Sequence, residues 1–345
     1  MLSSELTGLP ARWSSRIPGE QDLAPLAELR AGDQEPWTGS ARVDAGALAA
    51  EVIGTGAWSR RQLAAFDPSG RLRGWVVVQD RAAGRTTVAV LVDRSLPVAE
   101  QGAVAAAAYA WTEEAARDIC ALRRIDHTRL DASPFTHDEV QLGWLRAAGY
   151  ARVRTWQHMS RPVRAEEAGT LPGPREGVVV RRVAQHANGI PVAHELHLVH
   201  AMLEQSFEDH FNSYRESFPE FLQRLREDPG HRWDHWWLAF VVDEDDPPVE
   251  HPAGAAVSSV LPAGASGREG TYLDYIGVNR RARGRGVAKA LLHQLVRDAA
   301  ERGRDRVTLE VDADSPTGAD GIYTSMGWST DYLTDSWFRE LSVGP

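Results

Sequence analysis

Arg281-Ala282-Arg283-Gly284-Arg285-Gly286-Val287-Ala288-Lys289 is the stretch on which the reading of this chain turns. An apolar, strand-like run at 272–278 precedes it, and a helix-like run at 288–302 follows. A strand, a basic glycine turn and a helix together suit a pyrophosphate. The glycines let the backbone approach the ligand, the helix start offers free N–H groups and the positive end of its dipole, and the arginines add charge. Lys289 is the one lysine of a chain whose other basic residues are arginines.

The remaining sequence bounds what such a turn could serve. At 345 residues the chain exceeds one comfortable core, so two domains are expected. Its 43% hydrophobic and 25% charged residues are those of a globular protein. A net charge of -10 disfavours nucleic acid as a partner, because phosphate backbones select basic surfaces. Cys120 stands alone, so no intramolecular disulfide and no cysteine-based metal site can form. Within its alanine-rich stretch it reads as a small buried side chain. The start of the chain carries no basic segment followed by an apolar core, and no run of about 18 apolar residues occurs. The expectation is a cytoplasmic protein with no membrane partner, monomeric or homodimeric.

Proline and glycine cluster at 161–177, which reads as a linker. The expected layout is a first domain at 1–163, a linker at 164–177 and a second domain at 178–345. In the second half the pattern predicts a strand at 178–183, helices at 191–210 and 214–227, and a loop at 243–252. Strands follow at 236–242, 254–261 and 271–278, then the motif helix, a strand at 306–312, a short helix at 319–326 and a strand at 336–341. The first half repeats this more faintly, with strands at 74–78 and 86–92, a helix at 99–121, a strand at 125–131, a helix at 138–148 and a strand at 152–160. The ends match best: Leu145-Arg146-Ala147-Ala148-Gly149-Tyr150 stands beside Tyr323-Thr324-Ser325-Met326-Gly327-Trp328. This is the signature of a tandem duplication. The first copy lacks the glycine turn. Its counterpart, 93–102, holds Pro97, which has no N–H, and Glu100, which repels phosphate. Only the second copy is therefore expected to handle a phosphate ligand.

A lone G-x-G has several owners. A Walker loop needs G-x-x-x-x-G-K-[ST], which is absent, and a dinucleotide fingerprint needs a third glycine where Lys289 stands. A solvated arginine-rich helix start remains the bland reading. The combination is more specific. Arg281-x-x-Gly284-x-Gly286 follows a strand ending Gly277-Val278. Then come a strand ending Asp312-Ala313-Asp314-Ser315 and the pattern Tyr323-x-x-x-Gly327-Trp328. Together these resemble the GNAT superfamily of CoA-dependent N-acyltransferases. The two-domain layout with a degenerate first copy is similar to actinobacterial tandem GNAT proteins of the mycothiol-synthase-like kind.

The resemblance implies an α/β (α+β) fold of two tandem GNAT-like domains, each a mixed, mostly antiparallel twisted sheet flanked by helices. It implies acetyl-CoA, or another acyl-CoA, as co-substrate, a small-molecule amine as acceptor, and direct transfer in a ternary complex without metal. Ile276, Gly277 and Val278 would bond the pantetheine arm through their backbone. Amides from Arg283 through Gly284, Arg285, Gly286 and Val287 to Ala288 would cradle the pyrophosphate, with Arg281, Arg283 and Arg285 beside the phosphates. Ser315 stands where the family often places an asparagine that contacts CoA. Tyr323 matches the family's general acid. Mycothiol synthase carries a glutamate where this chain has Tyr272, which argues against that substrate. By strand alternation Tyr272, Asp274 and Ile276 share one face; Asp274 is the candidate base, and Glu310 on the next strand stands in reserve. Phe207, Glu208, His210, Phe211 and Tyr272 are the candidate acceptor contacts. His194, His197 and His200 do not form H-E-x-x-H, and no metal is expected. The reading in another class is a CoA-binding sensor or partner module without catalysis.

Overall fold

Val76, Val78, Val88, Val90 and Val92 belong to one apolar cluster, and the alternating Trp75, Val77 and Leu91 belong to another. Strands with both faces buried in this way need helices on both sides. The computed structural model describes residues 2–81, 84–207, 216–243, 249–314 and 318–343, except the side chains of Phe207 and Ala319. The chain forms two units. The first comprises 1–157, 312–314 and 332–345; the second comprises 158–311 and 315–331.

The first unit runs β1 (Ser14–Arg16), α1 (Leu23–Thr38), α2 (Ala45–Val52), β2 (Arg60–Phe66), β3 (Leu72–Arg81), β4 (Arg85–Val92), α3 (Val98–Arg123), β5 (His127–Ala132) and α4 (Glu139–Ala147). β6 (Ala151–Pro162) then carries the chain onward. β1 to β4 pair antiparallel in sequence order, and β4 pairs parallel with β5 from Arg85↔Arg129 to Thr87↔Asp131. α3 covers the face of Val76 and Val90, while Leu26 and Leu29 of α1 and Leu48 and Val52 of α2 cover the face of Trp75. Cys120 is buried within α3.

The second unit contains α5 (Glu167–Thr170), β7 (Val178–Arg182), α6 (Ala193–Phe207), α7 (Phe218–Glu227), β8 (His231–Val242), β9 (Glu250–Leu261), β10 (Gly270–Val278), α8 (Val287–Glu301), β11 (Arg306–Asp312) and α9 (Ala319–Ser325). β7 to β10 pair antiparallel in sequence order, and β10 pairs parallel with β11 from Thr271↔Val307 to Leu273↔Leu309. The sheet plan of the first unit is thus repeated. Leu291, Leu292 and Leu295 of α8 pack on Val307 and Leu309, while α6 and α7 cover Trp236, Leu238 and Val257 on the opposite face.

Two boundaries differ from the expected layout. The last strand, β12 (Ser329–Ser342), enters the first unit: Trp337↔Ala132 to Ser342↔His127 pair it antiparallel with β5, and Trp337 joins the first unit's core. Arg339 donates to Glu113 and to the Ala148 carbonyl there. The expected linker at 164–177 is instead part of the second unit. Val163 and Leu171 pack on its core, and Arg297 donates to the Leu171 carbonyl at 3.0 Å. Proline and glycine mark irregular backbone, and here that backbone is held by side chains of α8. Residues 250–252, expected in a loop, begin β9.

Candidate active site

The glycine turn has the geometry its sequence called for. Gly284 and Gly286 take φ of +80° and +85°, a region closed to most side chains. Asn279 accepts from the Arg281 N–H at 3.0 Å and donates to Gln205 at 2.8 Å, which fastens the turn to α6. The sequence reading did not single out Asn279; a side chain that caps a short turn just after a strand was the available signal. The Arg283 N–H bonds the Arg280 carbonyl at 3.2 Å, and the Arg285 N–H reaches the Ala282 carbonyl at 3.4 Å. These two amides of the expected cradle are therefore used inside the turn. The N–H groups of Gly284, Gly286, Val287, Ala288 and Lys289 have no acceptor among the described residues. They are the turn's outward amide and the unsatisfied donors of a helix start.

Charge concentrates at the same place. Arg281, Arg283, Arg285 and Lys289 are exposed and enter no salt bridge among the described residues. A side chain added at Gly284 would meet nothing within 4 Å, so the space before the turn is open. Free amides, four unpaired cations and open space fit the pyrophosphate of a coenzyme. At Gly286 an added Cβ would lie 2.9 Å from the Arg175 side chain, so the second glycine also admits a residue of the expected linker.

β10 ends at this turn. Beyond Leu273↔Leu309 it leaves β11 and keeps only β9 as its partner, through Ile276↔Ala256, Gly277↔Ala255 and Val278↔Gly254. Gly277 is needed for packing as well, since a Cβ there would meet Ser206 Oγ at 2.7 Å. A bulge between Leu273 and Tyr275 breaks the alternation expected for this strand. Tyr275 then packs with Phe221 on the α7 side, while Ile276 turns to the α8 core. Tyr272, Asp274 and Ile276 therefore do not share one face, because the extra residue shifts the phase after Leu273.

Asp274 sits at the bulge. One carboxylate oxygen is buried without a partner, while the Ser259 hydroxyl bonds the group. Burial, with the nearby charge of Asp228, pushes its pKa up to about 7. Glu310 would be the next ladder partner of Asp274 had the two strands stayed paired. Burial pushes its carboxyl up to about 7 too. Its side chain is nevertheless exposed, so water screens that shift, and Asp274 carries the better supported rise. Tyr272 is half-buried and pairs with Thr308 and Ser259.

Tyr323 lies on α9 with its ring in the α8 core, 6.0 Å edge-on from Trp328. Burial pushes its phenol up to about 12, which keeps it protonated at neutral pH. Its hydroxyl has no hydrogen-bond partner among the described residues. Gly327 at φ +94° closes the helix, and the Trp328 N–H returns to the Tyr323 carbonyl at 3.1 Å.

Several expected contacts lie outside the described residues: Glu208, His210, Phe211, Ser315 and the side chain of Phe207. His197 stacks on Phe218 at 3.7 Å, and His200 bonds the Glu216 carbonyl at 3.0 Å. Among the described residues no three metal-ligating side chains stand together, and no helix is long and apolar enough to cross a membrane.

The second unit thus joins the antiparallel run β7 to β10 to a parallel strand from which β10 splays, beside a glycine turn with free amides and a buried tyrosine. Residues 201–328 match the sequence model described as the acetyltransferase (GNAT) family, and the second unit belongs to that family of acetyl-CoA-using acetyltransferases. Solved structures share the fold. A GCN5-related N-acetyltransferase from Sphaerobacter thermophilus superposes with a TM-score of 0.73 at 22% identity, covering 98% of each chain. A tandem GNAT protein from the clavulanic acid biosynthesis pathway gives 0.59 at 14% identity, covering 95% of this chain and 97% of its own. The glucosamine N-acetyltransferase region of a fungal multi-domain beta-N-acetylglucosaminidase gives 0.63 at 12% identity, covering 96% of this chain and 38% of that one. No curated protein matches the sequence.

Proposed function

We propose that the second unit transfers an acetyl group, or another acyl group, from CoA to the primary amine of a small molecule by direct attack in a ternary complex. The observation that carries this reading is the turn at 281–289, with its free amides and four unpaired cations beside a strand that has left its neighbour. The acyl thioester supplies an activated carbonyl. Backbone groups of Ile276, Gly277 and Val278 orient the pantetheine arm, and Arg281, Arg283 and Arg285 with the amides of Gly284, Gly286, Val287 and Ala288 hold the phosphates.

Transfer forms a C–N bond and breaks the C–S bond, so the amine loses a proton and the departing sulfur gains one. Asp274 takes the ammonium proton, directly or through water, because a carboxyl near 7 is ionised in part at working pH and still basic enough to act. Glu310 is the second carboxyl beside the splay. Tyr323 gives the proton to the leaving sulfur; a phenol held protonated by burial is suited to that task.

A thiol-release assay with acetyl-CoA and a panel of amines tests the proposal. The expected outcome is release that depends on the acceptor and saturates with it. Slow thioester hydrolysis, unchanged across the panel, would instead make the unit a CoA-binding module.

A further inference from the structure

The first unit has a cavity of its own, and the proposed transfer chemistry leaves it unused. β4 and β5 stop pairing at Thr87↔Asp131, and where they part a space of about 280 Å3 opens. Asp33 of α1, Glu51 of α2, Arg60 of β2, Asp131 of β5, Phe135 and Gln141 are among the residues that line it. Its volume is at the small end for ligand pockets. CoA does not suit it. The Gln141 side-chain amide already donates to the Val90 carbonyl of the splayed strand at 3.3 Å. The helix start next to it carries Pro97 and Glu100 in place of glycines and free cations. The occupant must be compact.

Charge and shape narrow its class. Glu51 faces Arg30 at 2.8 Å and Arg60 at 3.8 Å, and Asp131 faces Arg85 and Arg129, each at 2.8 Å. Asp33 is placed differently. Its hydrogen-bond partner among the described residues is Arg94, at 3.3 Å, and Arg94 also serves Asp138. Two carboxylates share the Arg94 guanidinium, and burial holds the Asp33 pKa above its ordinary value despite Arg94 and the charge of Arg30. Of the carboxylates that line the cavity, Asp33, which shares that guanidinium with Asp138, has the longest nearest ion pair. Near it, Phe135 stacks 6.1 Å from Trp37 and meets Tyr332 edge-on at 5.7 Å. This aromatic group suits a flat apolar body.

We propose that the cavity of the first unit is a second ligand site, which takes a small aromatic or apolar primary amine with its ammonium on Asp33 and its body against Phe135. The site is independent of the acyl-transfer reading, and its test does not require turnover.

Calorimetric titration of the full chain with 2-phenylethylamine is the direct measurement. Wild type is expected to bind saturably, with a Kd of about 1 mM or tighter. Asp33→Asn should weaken this at least about tenfold, the loss of one charge-assisted contact. Ala89→Trp, at an exposed strand position that lines the cavity, should remove it by filling the space. Both variants should keep CoA binding and melt cooperatively, Asp33→Asn no lower than wild type at neutral pH because its raised pKa penalises the ionised form, and 3-phenylpropionate should not bind. Absence of amine binding, or binding unchanged in both variants, overturns the proposal. So does a fall in CoA stoichiometry from two to one in Ala89→Trp, which would make the cavity a coenzyme site.

Discussion

The turns that open α3 and α8 stand at the same place in the two sheet plans and are built from opposite chemistry. Before α8, Gly284 and Gly286 adopt positive φ, and Arg281, Arg283, Arg285 and Lys289 are unpaired among the described residues. Before α3 no residue of 93–102 has positive φ, Pro97 caps the helix, and Glu100 lies in its first turn. The cations there are consumed: Arg73 pairs with Asp67 and Asp93, and Arg94 with Asp33 and Asp138. Gln101 donates to the Arg94 and Leu96 carbonyls and ties the loop to itself. The helix ends differ in the same sense. Gly149 and Gly327 both have positive φ, and each is followed by an aromatic N–H that returns to the residue five before it. Where the second unit places Tyr323 the first has Leu145, fully buried and without a hydroxyl. One frame has been kept twice, while its polar equipment was turned inward in one copy and outward in the other. Fold and site thus depend on separable sets of residues.

The sharpest way to break this comparison is to disable one turn at a time. Gly284→Trp fills the space before the turn and forces a bulky side chain to φ near +80°, so CoA affinity should fall by more than about 10³-fold in calorimetry. Gly284→Ala, whose Cβ meets nothing, controls for backbone strain. Val98→Trp, at the exposed start of α3, should leave CoA affinity unchanged. Tight CoA binding by Gly284→Trp would refute the assignment of the turn.

Tyr323→Phe keeps the buried ring and removes only the hydroxyl. The expected loss in kcat is about 10²- to 10⁴-fold, with CoA affinity intact. Full turnover would mean that the hydroxyl absent from Leu145 was never the difference between the copies.

Asp274→Asn is expected to cost about 10²-fold in kcat/KM at pH 8. The wild-type profile should rise with an apparent pKa near 7, and the variant should lose that limb. Stability should move the other way. The folded pKa is above the unfolded value, so wild type is penalised as pH rises from about 4 through 7, where burial resists ionisation. The rise from 3.8 to about 7 corresponds to at most about 4 kcal/mol. Melts at pH 8 should therefore show Asp274→Asn to be the more stable protein; at pH 4 the two should converge. A parallel profile for Glu310→Gln separates the two carboxyls.

What the sequence disclosed was local. The glycines at 284 and 286 and the return at 327 are backbone requirements that a few adjacent residues express completely. What it concealed depended on distant partners. The bulge at Asp274 is a matter of pairing with β9, and no residue of 272–278 announces it. The exchange of β12 into the first unit is decided by β5, roughly two hundred residues earlier in the chain. β2 escaped the strand pattern because Arg60–Phe66 holds no β-branched residue, and its buried run lies under helices on both sides without polar alternation. At 164–177, the proline and glycine content signalled irregular backbone but not that Arg297, Arg161 and the α8 surface would hold it.

The mildest test concerns a single cation. Arg281 is exposed, so its attraction for a phosphate is shared with water, and Arg281→Ala should weaken CoA binding by about three- to tenfold at low salt. At 0.5 M salt the Debye length falls to about 4 Å, and the difference between variant and wild type should nearly vanish. Arg94→Ala, the counterpart change in the first unit, should behave in the opposite way. It strands Asp33 and the buried Asp138 without their guanidinium, so it should lower the melting temperature, with little dependence on salt and no change in CoA affinity. If both arginines affected CoA binding with the same salt dependence, the contrast between a structural and a ligand-facing turn would be wrong, and the first unit would have to be counted as a second coenzyme site.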